Sequence, residues 1–304
     1  MSESQNNYVV ETNNLTKTYG SKTVLDHVNM HVAQGDIYGF IGKNGAGKTT
    51  LMKLLLGMSQ PTSGTMSLFG TDKLSLARHH IGSLIEEPAL YHGCTAAENM
   101  RRFAILANAD TSEVDEILRF VGLGDVGTKK VGKFSLGMKQ RLGIAIAMLG
   151  HPDLLILDEP INGLDPEGIK EIRDLLLRLN REQGVTVLVS SHLLDELAKI
   201  TTRYGIINHG RLVEEISAED LMKQCQQKLH IVTEQPAVAA KLIKKLSPKA
   251  KITANENSLD VVDEKLESAK VNQALVNGGV DVTSITFAAD KMEDYFIQRM
   301  GGRA

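Results

Sequence analysis

Between residues 28 and 32, apolar Val28, Met30 and Val32 alternate with Asn29 and His31. This is the period-two pattern of a strand with one buried face, and residues 1–35 as a whole read as β-hairpin material. Residues 37–41 (IYGFI) are instead an unbroken apolar run. It ends in glycines and leads into a helix-forming stretch from 49 to 56. Two more unbroken runs, 154–157 and 185–189, have the character of parallel strands covered on both faces. Between them the chain predicts an amphipathic helix. Asp165 is placed to cap it, Pro166 occupies its first position, and Ile169, Ile172, Leu175, Leu176 and Leu179 form one stripe. Residues 95–125 read as all-helical, with a capping box at Thr95 and Glu98 and a second helix starting at Ser112 and running to Phe120. Strands interrupted by such an insert predict an α/β core carrying a helical subdomain.

The pattern changes near residue 218. Residues 222–228 are polar and read as a linker. After them come apolar runs at 229–233, 251–253, 259–262 and 280–287, with helical stretches near 236–246, 264–277 and 291–300. The order β-α-β-β-α-β-α predicts a small ferredoxin-like α+β unit. The chain therefore divides into a first domain over 1–221 and an accessory domain over 222–304. Lys241, Lys244, Lys245, Lys249 and Lys251 crowd the accessory domain and read as a solvated face.

Composition narrows the classes. Of 304 residues, 42% are hydrophobic and 23% charged, enough for two packed domains. A net charge of −3 and a pI near 6.3 lack the basic balance of a nucleic-acid-binding chain. Cys94 and Cys225 are too few and too distant for a disulfide framework or a zinc cluster. The first residues, MSESQNNYVVETNN, are polar and unlike a signal peptide. No apolar run approaches the ~20 residues that span a bilayer. The sequence predicts a soluble protein whose work at a membrane, if any, needs a separate spanning polypeptide.

Two constellations carry chemistry. Gly42-Lys43-Asn44-Gly45-Ala46-Gly47-Lys48-Thr49 fits the phosphate-loop pattern G-x-x-x-x-G-K-[ST], followed by Thr50. The glycines let successive backbone N–H groups point into one concavity. Lys48 then reaches the outer phosphates, Thr49 offers a hydroxyl to Mg²⁺, and the following helix turns its positive end to the nucleotide. The strand before the loop and the helix after it are the context that this motif requires. The second is the apolar run 154–157, ending in Asp158 and Glu159. An acid at a strand tip beside a phosphate loop suits metal binding, here Asp158. Glu159, one residue on, is placed to act as the base on an attacking water.

With these residues in order, residues 8–215 resemble the ATP-binding subunit of ATP-binding-cassette (ABC) transporters. Tyr19 matches the aromatic that stacks on adenine, with Val24 as an apolar base contact. Phe134-Ser135-Leu136-Gly137-Met138 matches the family signature, Asn162-Gly-Leu-Asp165 the D-loop, and Ser190-Ser-His192 the switch histidine. The resemblance implies a phosphate-loop ATPase with antiparallel β and helical subdomains, ATP and Mg²⁺ as cofactors, and a permease as membrane partner. It also implies a head-to-tail dimer in which Ser135, Gly137 and Met138 meet the ATP held by the other copy, at the cytoplasmic face of the membrane.

The departures narrow the branch. The signature reads FSLGM where LSGGQ is usual, and the Q-loop position carries Glu86 in place of glutamine. Together with Glu293-Asp-Tyr-Phe296 near the end, these features are similar to the bacitracin-resistance and lantibiotic-immunity exporters. Glu86 has two readings: a third oxygen ligand to Mg²⁺ beside Thr49 and Asp158, or a contact to a basic residue of the permease. The alternative function is a soluble ABC ATPase acting on ribosomes or nucleic acid. One phosphate loop, a near-neutral charge and no heptad run argue against it. A GTPase or small-molecule kinase would lack an account of the signature and His192, and there is no Asn-Lys-x-Asp motif.

Overall fold

The computed structural model describes residues 7–225, 227–263, 267–289 and 292–301. The polar start, residues 1–6, and the start of the helix expected near 264 lie outside them. The chain folds as two compact units. One comprises the described residues up to Ala218 with those from Phe296 onward; the other is Glu219–Tyr295. The first unit thus takes in the last few residues, which the sequence-based division assigns to the accessory domain.

The first unit opens with β1 (Tyr8–Tyr19), β2 (Lys22–Val28) and β3 (His31–Ala33), then β4 (Ile37–Ile41), α1 (Lys48–Leu55) and β5 (Ser63–Leu68). β1 is long enough to pair antiparallel with β2, β3 and β5 along its length. The expected alternation holds, since Val28, Met30 and Val32 are fully buried. Next come α2 (Leu74–Ala77), β6 (Ile81–Leu84), α3 (Ala96–Leu106), α4 (Val114–Phe120), α5 (Leu136–Ala147), β7 (Leu154–Asp158), α6 (Pro166–Gln183) and β8 (Thr186–Ser191). α7 (Leu194–Leu197), β9 (Arg203–Asn208) and β10 (Arg211–Ser217) complete the series.

The central sheet has the order β10-β9-β4-β8-β7-β6 and is parallel except for β10. Every residue of β4, β7 and β8 is buried, which explains their unbroken apolar runs. Each large apolar side chain removed from water there contributes about 1.5–3 kcal/mol.

The helix ends follow their caps. Thr95 and Glu98 form the expected reciprocal capping box on α3. Asp165 accepts from the Gly168 N–H at 2.9 Å and Pro166 opens α6. Of the α6 stripe, Ile172, Leu175, Leu176 and Leu179 are buried and Ile169 is half-buried. Ser112 is not the start of a helix. Asp110 caps there instead, accepting from the Ser112 N–H at 2.8 Å, and a 3₁₀ turn at Thr111–Glu113 leads into α4.

The second unit contains most of α8 (Ala218–Gln224), then β11 (Gln227–Val232), α9 (Pro236–Leu246), β12 (Lys251–Ala254), β13 (Ser258–Val262), α10 (Ser268–Asn277) and β14 (Ser284–Ala289). α11 (Met292–Arg299) is the last helix among the described residues. The strand order β12-β13-β11-β14, antiparallel throughout, is the split β-α-β arrangement expected of a ferredoxin-like unit. Its own core includes Leu229, Ile231, Ile243, Leu259 and Leu275. The stretch read as a linker, 222–228, is divided between the end of α8 and the start of β11. α8 buries Leu221 and is laced by Lys223 to Glu219 and Asp220, a polar helix that hydrophobic periodicity alone does not reveal. Lys241, Lys244, Lys245, Lys249 and Lys251 are exposed, as expected. Neither cysteine is in a disulfide.

One close approach fixes α5 on the sheet. A Cβ built on Gly82 of β6 would collide with the Ala147 carbonyl oxygen at the end of α5 and lie 2.8 Å from Leu155 Cδ2. Gly82→Ala is therefore expected to cost about 1–3 kcal/mol by overpacking, read as a lower thermal unfolding midpoint. An unchanged midpoint would mean that α5 and β6 part without cost.

Candidate nucleotide site

The site grows from the turn between β4 and α1. Gly47 has φ 113°, a conformation that side chains resist, and a Cβ there would lie 2.7 Å from Leu25 Cδ2. With no side chain capping α1, its first amides are available to an anion, in line with the helix dipole. The loop curls so that the buried Lys48 ammonium donates to the Gly42 carbonyl at 2.6 Å, with Lys43 O at 3.5 Å. Ala46 is buried and its N–H bonds back to Lys43 O at 3.0 Å. Asn44, Gly45, Gly47, Lys48, Thr49 and Thr50 line one concavity with Lys22, Val24, Asp158 and Glu159.

The two acids reach this concavity by different means. Asp158, 5% exposed at the tip of β7, accepts the Thr49 hydroxyl at 2.6 Å and the Ser190 hydroxyl at 2.5 Å. Ser190 is its register partner across β7 and β8. In an extended strand the next side chain would point the opposite way. Glu159 escapes this because its φ of 51° is left-handed, which costs roughly 1–2 kcal/mol for a residue with a Cβ. The Glu159 N–H is held by Ser190 Oγ at 3.0 Å. One carboxylate oxygen lies 2.8 Å from His192 Nδ1. The other is 3.4 Å from Lys48 Nζ, buried, and without a hydrogen bond. Backbone strain at this place sets both acids on one cavity.

These residues suit a hard cation. A buried carboxylate beside a threonine hydroxyl supplies oxygen ligands, and the unsatisfied Glu159 oxygen marks unused acceptor capacity. Among the described residues no cluster of three or more His, Cys, Asp or Glu forms a metal cage. That agrees with Mg²⁺ sites completed by phosphate oxygens and water.

The signature residues stand elsewhere. Ser135 caps α5, accepting from the Met138 N–H at 3.2 Å. With Gly137, Met138, Arg141 and Asp165 it lines a second concavity that shares no residue with the first. Tyr19 lies outside the residues lining the first concavity. It is half exposed, with Lys17 Nζ 4.7 Å from its ring centre and its hydroxyl 3.4 Å from Ser59 Oγ. Glu86 also lies outside that lining. Its largely exposed carboxylate pairs with Lys53 Nζ at 2.7 Å. Sequence reasoning did not single out Ser190 as a linchpin, nor Lys53. For Ser190 the available signal was its place at the end of the apolar run beside the one bearing Asp158.

Known proteins resemble this chain in sequence and in fold. Residues 25–162 match the ABC transporter family. The chain is 43% identical over 300 residues to the bacitracin transport ATP-binding protein BcrA of Bacillus licheniformis, covering 97% of this chain and 98% of that protein. The chain belongs to the ATP-binding subunits of ABC transporters. The lantibiotic transport ATP-binding protein SrtF of Streptococcus pyogenes is 44% identical over 202 residues, 66% of this chain and 88% of SrtF. Among solved structures, the ATP-binding cassette MJ0796, in a dimeric post-hydrolysis state with ADP and Pi, superposes with TM-score 0.62 at 26% identity, over 69% of this chain and 98% of that one. The first unit is thus an ABC ATPase cassette. Among the described residues no helix is long and apolar enough to cross a membrane.

Ser190→Ala removes the hydroxyl that holds both acids and leaves the Glu159 amide without its partner. ATP hydrolysis by the purified cassette is expected to fall about tenfold or more while ATP affinity stays within a few-fold. Full turnover in this variant would contradict the role of Ser190.

Proposed function

We propose that this chain is the motor of an exporter for peptide antibiotics of the bacitracin or lantibiotic type, acting through a separate permease at the inner face of the membrane. The near full-length likeness to a bacitracin transport ATP-binding protein carries this reading. ATP binds with its phosphates on the loop 42–49 and on Lys48, with Val24 and Tyr19 on the side of the base. Thr49 and Asp158 hold Mg²⁺, which supplies charge neutralisation at the phosphates when bound. Glu159 accepts the proton of the attacking water. His192, hydrogen-bonded to that carboxylate, orients it toward the γ-phosphate.

The site needs two copies. Signature and phosphate loop line separate concavities of one chain. Gly137 supports the same view: the nearest atom to a Cβ built there is 3.9 Å away, so packing within the chain does not demand glycine. A bare backbone at that point allows close approach from outside. In a head-to-tail dimer Ser135, Gly137 and Met138 present donors and the positive end of α5 to the partner's γ-phosphate, while Asp165 lies at the seam. ATP shifts the population toward the closed dimer and hydrolysis releases it.

Glu159→Gln keeps the shape of the side chain and loses the base. The variant is expected to bind ATP, hydrolyse it at least about a hundredfold more slowly, and accumulate as an ATP-dependent dimer in gel filtration. Near-normal hydrolysis would remove Glu159 as the base. Coexpressed with its permease in a sensitive bacterium, the wild-type chain should raise resistance to bacitracin or a lantibiotic and Glu159→Gln should not. Unchanged sensitivity to both peptide classes would overturn the substrate while leaving the ATPase intact.

A further inference from the structure

Glutamate at position 86 poses an electrostatic problem. The nucleotide concavity already holds the carboxylates of Asp158 and Glu159, balanced by the ammoniums of Lys22 and Lys48. A third carboxylate on the adjoining loop would oppose the binding of a polyanion. The answer lies on α1. Lys53 is four residues after Thr49, so the two share a helix face, and its ammonium stands 2.7 Å from Glu86 Oε1. Glu86 turns toward it in a left-handed conformation, φ 61°, at the point where the chain leaves β6. The Glu86 carboxylate raises the affinity of Lys53 for its proton, and Asp158 acts in the same direction from the metal site. One ammonium therefore feels both carboxylates.

We infer that Lys53 is the intramolecular counter-charge of Glu86, a positioning residue that cancels the negative charge of the Q-loop glutamate beside the nucleotide site and yields it to Mg²⁺ when the metal is present. Neither of the two readings of Glu86, metal ligand or permease contact, includes a partner within the chain. The pair is suited to exchange. Its members are 37% and 68% exposed, and pairs so open to water contribute little to stability. A divalent cation competes readily for a carboxylate held this loosely. The substitution of glutamate for glutamine is then neutral to ATP binding as long as Lys53 remains, and gives the metal one more oxygen ligand than the amide would offer.

The inference rests on the loop 42–49 as the ATP site, and one set of titrations separates the two. ATP affinity is measured by calorimetry at low ionic strength for wild type, Lys53→Met, Lys53→Arg, Glu86→Gln and the double variant Lys53→Met/Glu86→Gln, with excess EDTA and again over a Mg²⁺ series. Wild type that binds no ATP in either condition would overturn the site itself. With binding established, Lys53→Met in EDTA is expected to lose roughly threefold to tenfold in affinity, the effect of one uncompensated charge on a triphosphate. The same change in the Glu86→Gln background is expected to lose less than about twofold. Lys53→Arg keeps wild-type affinity. In the Mg²⁺ series, Lys53→Met is expected to reach half-saturation at lower metal concentration than wild type, and Glu86→Gln at higher. Equal losses from Lys53→Met in both backgrounds, or no loss in either, would overturn the inference, because Lys53 would then act without Glu86.

Discussion

The Asp158 carboxylate organises the first unit. A negative charge at a strand tip, nearly sealed from water, is tolerable only with its oxygens satisfied. Here each accepts a hydroxyl proton, from Thr49 on α1 and from Ser190 on β8. The phosphate loop is thereby tied to β7 and β8 at one atom group. Because Ser190 also receives the Glu159 amide, the bond that steadies Asp158 fixes the left-handed turn after it. That turn places Glu159 between Lys48 and His192. The residues of the phosphate-facing half of the site are connected through this one carboxylate.

The second concavity is built independently. α5 begins at Ser135, which completes its own cap, and ends against β6, where only glycine fits at position 82. β6 runs on toward Glu86. The helix that presents the signature and the strand that leads to the Q-loop are thus in direct backbone contact within one chain. That contact joins the helix capped by Ser135 to the strand that leads to Glu86, which pairs with Lys53.

Much of this was legible in the sequence because it depends on neighbours along the chain. The phosphate loop, the Thr95 capping box, the Asp165 cap and the buried strands are set by local spacing and hydrophobic period, and each is found where the pattern puts it. Ser190 and Asp158 are 32 residues apart and meet only through the register of β7 with β8. Lys53 and Glu86 are 33 residues apart and meet only once α1 and the end of β6 are placed. No periodicity encodes such pairs. Local rules also fail where two candidates compete. Asp110 and Ser112 both suit a cap and the carboxylate prevails. The polar residues 222–224 are the last turn of a helix whose single buried leucine, Leu221, precedes them.

The central claim, that one copy holds half a site, is tested most directly by mixing two inactive variants. Lys48→Ala destroys the phosphate-binding half and Ser135→Arg blocks the signature half. In a dimer of either variant alone both composite sites are defective. In a mixed head-to-tail dimer one composite site joins an intact Lys48 to an intact Ser135. Phosphate release from ATP by the mixture, compared with each variant alone, is predicted to rise above their sum. A mixture no more active than its components would contradict a site shared between two copies.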